Sequence, residues 1–124
     1  MALKPNTVVS KSASNTTSGT LAATLANDGT NFWYVSGFSI TIGGATAGSV
    51  IAATLAGVQG GTITYNLAVP TGVTNGLSMS REFSSPLAGV AQATDITLSL
   101  PATGAGSTGA SIVLHGFKGD RQLQ

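Results

Sequence analysis

The feature that most constrains this chain is a hydrophobic period of two, broken at short intervals by glycine and proline. From Phe32 to Ile42 one face reads Phe32, Tyr34, Ser36, Phe38, Ile40 and Ile42, and the other reads Trp33, Val35, Gly37, Ser39 and Thr41. The second half alternates apolar with polar, as a strand covered on one side must. Ile63, Tyr65, Leu67 and Val69 repeat the pattern, and so do Ile96, Leu98 and Leu100. In the run 77–83, Leu77, Met79 and Phe83 share a face with Arg81 as its odd member. Runs at 49–56 and 110–117 extend the series, and weaker ones lie at 7–11 and 20–26. Helix is disfavoured throughout, because strong helix formers are scarce and 17 glycines interrupt every candidate window.

Turn chemistry separates these runs. Gly43 with Gly44 and Gly60 with Gly61 supply positive φ, and Asp28-Gly29 and Asn75-Gly76 favour tight hairpin turns. Pro70, Pro86 and Pro101 lie at or beyond run ends, where a missing N–H harms no ladder. The stretches 84–93 and 101–109 are too long for tight hairpins and suit crossings between sheets. The expected fold is all-β: a jelly-roll-type antiparallel β-sandwich of eight strands over residues 20–118, with an extended N-terminal arm at 1–19 and a C-terminal tail at 119–124. The arm assignment rests on the polar, Ser- and Thr-rich composition of 11–19. The expected core is Phe38, Ile40, Ile42, Tyr65, Leu67, Phe83, Ile96, Leu98, Ile112 and Leu114.

Charge then limits function. Only 7% of the 124 residues are charged and the formal net charge is +1, against about 25% charged in an average soluble domain. The acids are Asp28, Glu82, Asp95 and Asp120; the bases are Lys4, Lys11, Arg81, Lys118 and Arg121. An enzyme needs such groups to converge, and here they are scattered, so no catalytic residue, metal site or cofactor is expected. No basic stripe suggests nucleic acid. No apolar run approaches the ~20 residues of a membrane-spanning helix, and the segment 1–5 does not read as a secretory signal.

Individual residues are weighed on the same terms. His115 shares a face with Val113 and Phe117 and reads as a structural histidine. Arg81 is expected to pair with an acid across a sheet or a subunit interface. If Phe32 and Tyr34 pack inside, Trp33 faces outward or into a partner. Gly43 to Gly48 lacks the lysine and helix of a phosphate loop and reads as a hairpin turn. The threonines keep no regular period, which argues against an ice-binding ladder.

Three segments carry a resemblance: Phe32 to Ala45 with Ala47, Gly48 and Ser49; Glu82, Phe83 and Ser84; and Ile112 to Phe117. Together they resemble small virion structural proteins of tailed bacteriophages. The resemblance implies a jelly roll, a particle-bound role and no catalytic residues. It implies a capsid decoration (cement) protein located in the virion, with a tail, fibre, or receptor- or glycan-binding module as the alternative. The implied partners are other copies of the chain, as a trimer, and the major capsid protein or another virion protein. The arm is expected to lie on a neighbouring subunit or on the shell, through Leu3, Lys4, Val8, Val9 and Lys11, with Trp33 and Arg81 as further interface residues.

Overall fold

The structure is a computed structural model, which describes residues 8–17, 19–44, 49–69, 71, 76–91 and 94–119. Eight strands follow one another: β1 (Val9–Asn15), β2 (Leu21–Leu25), β3 (Phe32–Ile42), β4 (Ser49–Ala56), β5 (Ile63–Val69), β6 (Leu77–Ala88), β7 (Ile96–Leu100) and β8 (Ala110–Gly119). They form two four-stranded sheets with orders β1-β8-β3-β6 and β2-β7-β4-β5. The antiparallel pairs β1–β8, β2–β7, β3–β6 and β4–β5 are those of one long ribbon folded on itself. Rolling that ribbon adds the antiparallel contacts β3–β8 and β4–β7. This is the jelly roll, a double Greek key whose connections mostly pass between sheets.

That topology reassigns several turns. Only β4 and β5 are joined as neighbours in one sheet, and Gly60 and Gly61 in their connection have φ of 91° and 97°. Asp28-Gly29 and Gly43-Gly44 instead lie on connections from one sheet to the other, so neither is a hairpin turn. Asn75 lies outside the described residues. The crossing at 101–109 is present. The one expected from 84 begins later, because β6 continues to Ala88 before crossing at 89–95.

The N-terminal boundary also changes. Val9 to Asn15, expected within an arm that lies on a neighbouring subunit or the shell, pairs residue for residue with β8 of its own domain from Gly116 to Ala110. Its composition is that of a linker, but its backbone completes the sheet, and only Val9, Ala13 and Asn15 are partly covered. Leu3 and Lys4 lie outside the described residues.

The core lies between the sheets. Leu25, Ile42, Leu55, Ile96, Leu98, Leu100, Ile112 and Leu114 are fully buried, with Phe38 and Ile40 nearly so. Of the expected core, Tyr65 and Phe83 are only partly buried and pack against its margin.

One irregularity sets which side of β3 faces this core. Val35 stands opposite Gly116 and Gly37 opposite His115, so Ser36 is an inserted residue, a β-bulge. Before the bulge the odd-numbered Trp33 and Val35 point inward; after it the even-numbered Phe38, Ile40 and Ile42 do. Trp33 is 5% exposed. Its expected outward position is therefore corrected, and it is unavailable as a surface contact of the folded subunit.

Candidate functional site

The ionisable groups are distributed by the fold rather than gathered. The richest cluster closes the connection between β2 and β3. Asp28 Oδ1 accepts from the backbone N–H of Thr30 and of Asn31, both at 2.9 Å, and from Thr30 Oγ1 at 3.1 Å. Its Oδ2 accepts from Asn31 Nδ2 at 2.9 Å and from Lys118 Nζ at 3.0 Å. Lys118 Nζ also lies 5.2 Å from the centre of the Trp33 ring, while Trp33 Nε1 donates to the carbonyl of Ala26 at 2.8 Å. Asp95 fastens the other side of the loop, accepting from Asn27 N at 2.8 Å and Asn27 Nδ2 at 2.6 Å. Asp28 and Asp95 thus tie down the two sides of the connection, and the cluster works as a clasp over the tryptophan.

The clasp has a pH signature. The backbone N–H of Thr30, then the Asn31 side chain and backbone and the Lys118 ammonium, hold the Asp28 carboxyl well below the usual carboxylate range. The backbone and then the side chain of Asn27 lower that of Asp95. A carboxyl depressed by folding contributes stability above its unfolded pKa of about 3.9, and that contribution is lost as pH falls through the folded value. The melting temperature is expected to drop more steeply from about pH 5 to pH 3 in the natural protein than in an Asp28→Asn variant. Thermal melts across that range check it; equal slopes would remove Asp28 from the acid response.

On the outer face of the β1-β8-β3-β6 sheet, register builds rows of small polar groups. Ser14, Ser111, Thr41 and Ser78 stand side by side, and the next row is Ser12, Val113, Ser39 and Ser80. The third row is Ser10, His115, Gly37 and Glu82. Ser10 Oγ and His115 Nδ1 are 2.7 Å apart. A shallow groove of about 450 Å³, lined by Val8, Ser36, Gly37, Glu82, Phe83 and His115, runs over the bulge. His115 and Glu82 both stand opposite Gly37 from flanking strands, two strand spacings apart, or about 10 Å between backbones. His115 is partly buried, and its Nδ1 is paired with the hydroxyl of Ser10 on the neighbouring strand.

The other sheet differs in kind. None of its strands, β2, β4, β5 or β7, carries a charged residue. Its outer face presents Ala22, Thr24, Thr54, Thr64, Asn66 and Thr97 among similarly small side chains, and Val50 there is 69% exposed.

The expected interface residues are placed as follows. Val8 is 55% exposed at the groove, Val9 is partly covered on β1, and Lys11 is exposed on the same strand. Arg81 is exposed on β6 opposite Phe38, and among the described residues it forms no ion pair. Lys11 and Arg81 are on opposite edge strands of one sheet, so the fold does not bring the expected set together. The uncharged sheet is not legible in the sequence because its strands alternate with those of the other sheet; the sum of the four segments becomes visible only with the strand order. Among the described residues, no three His, Cys, Asp or Glu side chains are grouped to hold a metal ion.

No protein family matches the chain, and no curated protein does. Among solved structures it is similar to a chain from Bacillus endospore appendages, described as a family of disulfide-linked pili. That likeness has 16% identity and a TM-score of 0.35, and covers 92% of this chain and 93% of the other. It is also similar to a chain of the virus-like particle of the extra small virus of the giant freshwater prawn Macrobrachium rosenbergii. There the identity is 10% and the TM-score 0.40, covering 98% of this chain and 84% of the other. The jelly-roll assignment itself rests on the strand order.

Proposed function

We propose that this chain is a structural subunit of a protein particle, in which it associates with copies of itself and with an underlying shell rather than catalysing a reaction. The observation that carries this reading is the β2-β7-β4-β5 sheet, whose four strands are without charge and whose outer side chains are small. A free surface of that kind lacks the charge that keeps a small domain apart from its neighbours. Small side chains on a pleated sheet also let another flat surface approach closely. The more specific form of the proposal is a tailed-phage virion protein that decorates the capsid and contacts the major capsid protein. The resemblance at Phe32 to Ala45 and Ile112 to Phe117 supports it. A glycan-stacking platform at Trp33 finds no support, because that ring is enclosed.

Sedimentation velocity and electron microscopy of the purified chain test the general reading: it predicts assemblies larger than the 12.2 kDa subunit. The resemblance implies three subunits, and light scattering reads that number. On the decoration reading the chain travels with purified virions in a density gradient. Removing residues 2–7, which include Leu3 and Lys4 but spare β1, is expected to weaken that association while the circular dichroism spectrum stays that of the sandwich. Unchanged binding would move attachment onto the sheets.

A further inference from the structure

The outer face of the β1-β8-β3-β6 sheet changes character along its length. The serine rows occupy one end. At the other, beside the Ser36 bulge, Phe117 stacks on Tyr34 with ring centres 5.3 Å apart, and Tyr34, though turned away from the core, is only 2% exposed. The groove of about 450 Å³ lies at this end. It runs across the strands, from Val8 beside β1, past His115 on β8 and Gly37 on β3, to Glu82 and Phe83 on β6. Its floor is bare backbone at Gly37, where a Cβ would come within 2.6 Å of the Arg81 carbonyl oxygen.

The two ends of the groove say what it holds. At one end Val8, 55% exposed, is the first described residue, so the segment 1–7 enters the chain at the groove's rim. At the other end stands Glu82. Among the described residues it forms no ion pair, whereas Asp28 is held by Lys118 and Asp95 by Asn27. Arg81 is adjacent to it in sequence but points to the opposite face of β6. The segment 1–7 carries one charged side chain, the cation Lys4. The lengths agree as well. Three strand spacings separate β1 from β6, about 14 Å. The four residues from Val8 to Lys4 span about 13–14 Å when extended.

We propose that the groove is the seat of this chain's own residues 1–7, which cross the sheet as a strap with Lys4 paired to Glu82 and Leu3 against Phe83. The proposal goes beyond the assembly reading and holds for the chain by itself; on a particle, the strap is part of the surface that meets the shell. Tethering identifies the occupant. One exposed ion pair and one apolar side chain in a shallow groove are too weak to hold a separate peptide. A segment rooted at the rim is present at a high effective concentration, and the same contacts then suffice.

The test uses the whole chain. It has no cysteine, so Ala2→Cys gives a single place for a nitroxide label, and paramagnetic broadening of backbone amide signals in an isotope-labelled sample reads where the label lies. Gly37, Glu82 and Phe83 are expected to lose intensity, while Thr41 and Ser78, at the far end of the same face, keep theirs. Lys4→Glu in the labelled chain is expected to lower the ratio of seated to free segment by about fivefold, the scale of an exposed ion pair. Lys4→Glu combined with Glu82→Lys is expected to restore it. Uniform broadening over the whole face, or broadening that Lys4→Glu leaves unchanged, overturns the strap. A mixture of spin-labelled chain with isotope-labelled, spin-free chain tests the neighbour: broadening of Glu82 in the mixture places the segment on a second copy and overturns its seat in its own groove. A chain that shows the strap but does not travel with virions leaves this inference standing and rejects the decoration reading.

Discussion

Phe38→Ala is expected to lower the free energy of unfolding by about 3–5 kcal/mol, the range for removing a buried aromatic side chain. Phe38 is 1% exposed and lies in β3, the strand paired on both sides, where it touches β5 through Tyr65 and β6 through Phe83. Its loss leaves a cavity at the meeting point of the two sheets and removes two ring contacts. Phe83→Ala, whose ring lies 6.3 Å from that of Phe38, is expected to cost clearly less, because Phe83 is only partly buried. Urea denaturation of both variants measures the difference. Equal losses would mean that the Phe83 side chain is as fully covered in solution as that of Phe38.

Deleting Ser36 is expected to be at least as damaging, about 3 kcal/mol or more, or to prevent folding altogether. Without the inserted residue, β3 cannot keep Trp33 and Val35 inward together with Phe38, Ile40 and Ile42. Whichever half holds its place, the other turns its apolar side chains to solvent and offers Tyr34 or Ser39 to the core. For the Trp33 half the loss includes the Ala26 hydrogen bond and the Lys118 contact. Ser36→Ala keeps the residue count and with it the register, and is expected to change stability by less than about 1 kcal/mol. Paired denaturation curves of the deletion and the substitution separate the effect of register from that of the hydroxyl. A deletion as stable as the natural protein would show that the bulge does not set the face.

These two experiments also mark where sequence reasoning stopped. Alternation at Ile63 to Val69, Ile96 to Leu100 and Ala110 to Phe117 was enough to place strands and their inward residues, because a strand covered on one side must repeat with period two. Scarce helix formers and abundant glycine were enough for an all-β chain, and the thinness of its charge was enough to turn attention from catalysis to assembly. The long connection at 101–109 already indicated a crossing between sheets.

What the tertiary structure decided are quantities that depend on partners. The low-complexity stretch from Lys11 to Asn15 became a strand because β8 offers an unpaired edge, and backbone pairing makes little demand on side chains. Trp33 became a core residue because a single inserted residue at Ser36 exchanges the faces of β3, an event that alternation alone cannot register. Asp28-Gly29 and Gly43-Gly44 have the chemistry of hairpin turns and yet serve as crossings, since turn residues fix local backbone angles and not which sheet the next strand joins. The same holds for the candidate surface. Four uncharged segments lie apart along the chain, and only the order β2-β7-β4-β5 assembles them into one face with an open edge beside Tyr65.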